Sequence, residues 1–145
     1  MNPEEGVGAG EVKEANERFY RAFNERDLEL MDRVWHRDGE DGVEVVCIHP
    51  GWEPLRGFEA IQKSWSNIFK NSENMNIRIS HLGIGVSGEL AWVHCRENLF
   101  VIQPTGVQTS YVHATNLFRR EDRAWKMILH HASSIPFGGE GSPPD

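Results

Sequence analysis

The sequence predicts an α+β domain, with helices first and an antiparallel sheet after them. Apolar residues recur every three or four positions through much of the first half. From Asn76 onward they fall in long alternating runs separated by short polar turns. The length of 145 residues, with 39% hydrophobic and 26% charged residues, suits one domain with a real core. Helices that precede hairpin-linked strands pack together on one face of the sheet. A strongly bent sheet wrapped around three helices leaves a cavity between the layers.

Residues 1–10, with Gly6-Val7-Gly8-Ala9-Gly10, read as a flexible leader. Over 11–25 the stripe Val12, Ala15, Phe19, Ala22, Phe23 predicts a helix. Asp27 is the expected N-cap of a second helix, Leu28 to Trp35. Arg37 to Gly42 is a turn, and Val43 to Ile48 a short strand. His49-Pro50-Gly51-Trp52-Glu53-Pro54 then breaks the chain. A third helix, Gly57 to Asn71, buries Phe58, Ile61, Trp65, Ile68 and Phe69. Four strands follow over Asn76–Val86, Leu90–Ile102, Gln108–Arg119 and Ala124–Ser134, and Glu121-Asp122-Arg123 makes a tight hairpin. Residues 136–145 show no periodicity and read as a flexible tail, so the domain is expected over 11–135.

The net charge of −7 and the scattered basic residues argue against a nucleic-acid partner, which needs a basic face. No apolar run reaches the length of a membrane span. The acidic start, Met1-Asn2-Pro3-Glu4-Glu5, lacks the basic and apolar regions of a secretory signal, so a cytoplasmic location is expected. In that compartment Cys47 and Cys95 are read as buried thiols, not a disulfide.

Several segments together resemble one superfamily. They are Phe19-Tyr20-Arg21-Ala22-Phe23-Asn24 with Arg26-Asp27-Leu28, His49-Pro50 with Leu55-Arg56-Gly57, Thr115-Asn116-Leu117-Phe118, and Trp125-Lys126-Met127-Ile128 with His131 and Ser133. In this order and spacing they resemble the nuclear transport factor 2-like superfamily, especially its SnoaL-like branch. The match spans roughly residues 11 to 134. The ketosteroid isomerase-like proteins and the association domain of calcium/calmodulin-dependent protein kinase II are similar branches. The resemblance implies a cystatin-like α+β roll, a cone-shaped barrel whose curved sheet encloses a pocket against three helices. It also implies a homodimer formed through the sheet.

His49 stands at a strand end, where the isomerases of this superfamily carry a catalytic aspartate before a proline. A histidine there is a candidate general base near neutral pH. The plainer reading is a histidine that hydrogen-bonds backbone at a strand end. The isomerases' oxyanion donors align with Phe19 and Ala114, which have none to offer, so steroid isomerisation is not expected. Side chains alternate faces along a strand. Alignment with the kinase association domain sends Glu97, Asn116 and His130 into the pocket, but that domain's ligand-binding arginines are absent. The opposite face then carries Trp92, His94, Arg96, Tyr111, His113, Trp125 and His131, a composition suited to a dimer interface. A register error of one residue would exchange the two faces.

Trp52 lies in the turn at the expected pocket rim, while Trp35 and Trp65 read as core. His49, His130 and Glu97 make a set of two histidines and one carboxylate if all three face the pocket. No HExxH helix, paired CxxC or GxSxG elbow occurs, and neither a metal nor another cofactor is expected. The leading expectation is a homodimer that binds a small, largely apolar molecule, touched by Phe19, His49, Trp52, Glu97, Asn116 and His130. An isomerase, dehydratase or cyclase with His49 as base is the first alternative. An oligomeric assembly module is the second.

Overall fold

The computed structural model describes residues 3–39 and 41–136, with side chains from Gly8 onward. The element order is α1 (Pro3–Glu25), α2 (Leu28–Val34), β1 (Val46–Ile48), β2 (Leu55–Arg56), α3 (Phe58–Asn71), β3 (Met75–Ser87), β4 (Leu90–Gln103), β5 (Gly106–Glu121) and β6 (Ala124–Ser134). The expected α+β class holds, as do the three helices and four long strands. Two elements differ. The helix begins at Pro3, so residues 3–10, read as a flexible leader, belong to α1. Proline at a helix start loses no hydrogen bond, because the first amides of a helix have no partner within it. The pair Leu55–Arg56 forms a strand too short to show alternation. The expected tail lies outside the described residues beyond Pro136.

α1 ends at Arg26, which adopts φ 51°. Arg26 N donates to Phe23 O and Asp27 N to Ala22 O at 3.0 and 2.9 Å, closing the last turn in a Schellman pattern. Asp27 then caps α2, its carboxylate accepting from Leu30 N at 3.0 Å. Gly57 precedes α3 at its N-cap, with a φ of 94° that suits glycine alone without strain. Its first amide, Phe58 N, donates to the Asp38 carboxylate at 2.7 Å, a cap supplied from outside the helix.

The six strands run β2-β1-β6-β5-β4-β3. The β1–β6 pair is parallel and the others are antiparallel. The sheet is curved but open, with β2 and β3 at its edges, so the expected barrel does not close. Helix α1 lies along β3 and covers the concave side. Two irregularities bend the sheet: β3 shifts register between Ser80 and Gly83, and β6 gives two residues to one of β5 around Ile128.

The second irregularity corrects one expectation. Before Ile128, Trp125 and Met127 point inward; after it, His130 and Ala132 do. An unbroken alternation puts Trp125 and His131 on one face, but the extra residue reverses parity. Trp125 is therefore core, 6% exposed, and no part of the outer face. The remaining assignments stand. Val93, Cys95, Glu97, Val112, Ala114, Asn116 and Phe118 are buried, while Trp92, His94 and His113 face outward. Both cysteines are buried free thiols.

Candidate functional site: a pocket at the end of β1

β1 delivers His49 to the end of the sheet, where the chain turns sharply. Trp52 N donates to His49 O at 2.9 Å across a turn with Pro50 second and Gly51, φ 81°, third. Proline and a positive-φ glycine in those places are the chemistry of a type II turn. The turn folds Trp52 back over His49, with ring centroids 4.8 Å apart, and leaves the indole 47% exposed at the rim.

Beneath that rim lies a cavity of about 200 Å³. Its apolar wall comes from Phe19 and Phe23 of α1, Trp65 and Ile68 of α3, and Met75, Ile77 and Leu99 of the sheet. Its polar groups are His49, Glu97, His130 and Ser72, whose hydroxyl donates to Ile68 O at 2.6 Å. Of the residues expected at the site, Phe19, His49, Trp52, Glu97 and His130 all line this space. Asn116 does not. It is fully buried beside His130 and holds it. Trp35 is core as expected, whereas Trp65 is both core and wall.

Two hydrogen-bond chains fix the histidines. The Ser64 hydroxyl donates to Ile61 O at 2.8 Å, so it can only accept from His49 Nε2, 3.1 Å away. That selects the Nε2–H tautomer and leaves Nδ1 as a lone pair. His49 thus bonds a side chain and not the backbone expected of a plain strand-end histidine. On the other side, Asn116 Nδ2 donates to Asn16 Oδ1 at 2.8 Å and to Tyr20 Oη at 3.2 Å. Its Oδ1 then accepts from His130 Nδ1 at 2.6 Å. His130 Nε2 is left as an acceptor 3.9 Å from Glu97 Oε2, which receives the Tyr20 hydroxyl at 2.7 Å.

Burial removes charge from all three groups. It pushes the Glu97 carboxyl up to about 7, partly opposed by the Tyr20 hydrogen bond. It holds His49 down to about 4, and His130 down to about 3 with His49 and His131 nearby adding to the effect. Burial also pushes the Cys47 thiol up, so its sulfur, 3.7 Å from His49 Nε2, is no thiolate nucleophile. The cavity therefore presents a neutral base, His49, and a carboxylic acid, Glu97, within an apolar wall. His49 and His130 have ring centroids 6.4 Å apart, and among the described residues no group of three His, Cys, Asp or Glu is arranged to hold a metal.

Sequence reasoning missed Tyr20, Asn16 and Ser64. The signal was present. Asn16 and Tyr20 follow Val12 at intervals of four and sit inside the buried stripe of α1, and Ser64 follows Ile61 by three on α3. Phe19 and Ala114 lack donors, as expected, and the hydroxyl of the neighbouring Tyr20 is spent on Glu97.

The SnoaL-like domain profile matches residues 12–138. A crystal structure of a proposed dehydratase of the nuclear transport factor 2-like family from Streptomyces avermitilis is 30% identical. It superposes with a TM-score of 0.84, over 90% of this chain and 98% of that one. A proposed calcium/calmodulin-dependent protein kinase type II association domain from Thiobacillus denitrificans is 32% identical. Its TM-score is 0.68, over 83% of this chain and 92% of that one. The F-box protein SKIP8 of Arabidopsis thaliana is 25% identical over 118 residues, which are 81% of this chain and 47% of that protein. The chain thus spans about half the length of that relative. With the helix-and-sheet architecture and the profile match in agreement, the chain belongs to the SnoaL-like domain family of the nuclear transport factor 2-like superfamily.

Proposed function

We propose that this chain binds a small, largely apolar molecule in the cavity below Trp52. The observation that carries the reading is a cavity of about 200 Å³ whose walls are aromatic and aliphatic and whose few polar groups converge, as ligand pockets are built. An engineered apolar cavity of about 150 Å³ suffices for benzene, so a one-ring compound with a polar substituent is the right size. Among the described residues no arginine or lysine lines this cavity, and the substituent it suits is a hydroxyl or carbonyl, not a carboxylate. Ligand-observed NMR with a panel of one-ring aromatic alcohols and ketones tests this. Ile68→Trp fills the cavity from its wall and is expected to abolish binding while the melting temperature holds. Equal binding by wild type and Ile68→Trp would place the ligand elsewhere and end the proposal.

A second reading is an enzyme that eliminates water or moves a double bond. It is favoured by the opposed protonation states of His49 and Glu97, and the 30% identical Streptomyces avermitilis protein is itself a proposed dehydratase. In an elimination, His49 Nδ1 would take a proton from the carbon beside a carbonyl while Glu97 protonates the departing hydroxyl, which leaves as water. The base works above about 4 and the acid below about 7, so turnover should follow a bell between those limits. His49→Ala is expected to lower kcat by at least a hundredfold with little change in thermal stability. Undiminished turnover in that variant would remove His49 from the chemistry.

A further inference from the structure

A second concavity lies on the far side of α1, outside the pocket, where α1, α2 and the start of β6 meet. It has a volume of about 170 Å³ and is lined by Ala15, Arg18, Leu30, Arg33, Val34, Ala124, Trp125 and Lys126. Three cations from three different elements border one small cleft on a chain whose net charge is −7. Such a gathering of like charge is unfavourable unless something balances it.

The acidic neighbours only partly do so. Glu29 meets Arg33 at 3.4 Å, with both side chains exposed, which is a weak pairing. Glu121 acts on Lys126 from the hairpin. Lys126 Nζ donates to Arg33 O at 2.6 Å, which fixes the ammonium at the cleft and leaves it further donors. Burial, together with Arg18, Arg33 and Arg37 nearby, lowers the Lys126 pKa, so an anion in the cleft would restore what those neighbours take away. Trp125, 6% exposed, lines the same cleft, so its indole reports on what enters it. Leu30, Val34 and Ala15 add an apolar side to the cleft.

We propose that this cleft binds a small organic oxyanion, a carboxylate or phosphate on a short apolar body, with Arg18, Arg33 and Lys126 meeting its charge and the Trp125 ring lining the space beside it. The two sites then divide by charge: the pocket below Trp52 takes uncharged molecules and the cleft takes anions.

Titration of the full chain with phenyl phosphate, and separately with benzoate, tests the proposal. Sodium chloride at matched ionic strength is the control, followed by two-dimensional ¹H–¹⁵N NMR. The expected result is a saturable shift of the assigned Trp125 indole cross-peak with at least one of the two anions, and their relative affinities tell phosphate from carboxylate recognition. The double variant Arg18→Gln/Arg33→Gln changes two exposed helix positions and keeps the backbone carbonyl that holds Lys126. It should weaken binding at least tenfold without lowering the melting temperature. No saturable shift beyond the salt control, undiminished affinity in the double variant, or shifts centred on His130 instead of Trp125 would each overturn the assignment.

Discussion

Glu97, His49 and His130 share one apolar cavity, and burial moves each toward its uncharged form. The consequences for stability oppose one another. The native Glu97 carboxyl keeps its proton to about 7, while an unfolded glutamate releases it near 4.5. The native state therefore binds more protons, and this contribution is lost as pH rises toward 7. The two histidines stay neutral down to about 4 and about 3, while unfolded histidine takes a proton near 6.5. Their contribution is present above 6.5 and is lost as pH falls. Each unmatched proton gives a slope of about 1.4 kcal/mol per pH unit. From about 4.5 to 6.5 the two histidines outweigh Glu97 by one proton, so stability from this site should rise with pH there and level off near 7. Urea unfolding between pH 5 and 8 checks it. Glu97→Gln should steepen the rise between pH 5 and 6.5, because it removes the opposing proton, and His49→Gln should flatten it. An unchanged profile in both variants would show that these groups are not buried as described.

At the scale of elements, the outer face of the sheet depends on two glycines. A Cβ at Gly85 would stand 2.1 Å from the Trp92 ring, and one at Gly83 2.1 Å from the His94 ring. These aromatic rings of β4 lie over bare backbone of β3. Gly85→Ala must displace the indole and is expected to cost about 1–3 kcal/mol in chemical denaturation. Gly10→Ala is the matched control, because nothing lies within 4 Å of its added methyl in α1. In the interior of an exposed helix turn it should add about 0.5–1 kcal/mol. A loss at Gly10 or a neutral result at Gly85 would contradict this packing. The same elements show what the sequence made legible. Alternation in β4 and β5 groups Glu97 with Val93 and Cys95 and Asn116 with Val112 and Ala114, because an unbroken strand preserves parity, and the resemblance to the kinase association domain is what turns that face inward. β6 does not yield to that rule, since the bulge at Ile128 depends on pairing with β5 and leaves no local mark. β2 was missed because two residues cannot show a period. The Tyr20–Glu97 bond joins residues 77 positions apart, a distance over which periodicity says nothing.

For the whole molecule, the open question in the fold is what covers the convex face of β4 and β5. Trp92 is 43% exposed there, and Leu90 beside it 46%. Arg96 sets its guanidinium 5.7 Å from the Tyr111 ring centre, and His94 and His113 complete the patch. Aromatic residues clustered with arginine on a surface are what an interface core favours. We therefore propose a second copy of this chain on that face, minus Trp125, which the bulge turns inward. Light scattering should give about 33 kDa, twice the 16.5 kDa chain mass. Trp92→Glu places a charge where two indoles would meet, and its mass should fall to that of one chain. Because the patch lies on the opposite side of the sheet from Glu97 and His130, the variant should bind pocket ligands as wild type does. A wild-type monomer, or a variant that remains dimeric, would exclude this face as the interface. A closed ring of many subunits would likewise exclude a two-fold dimer as the assembly.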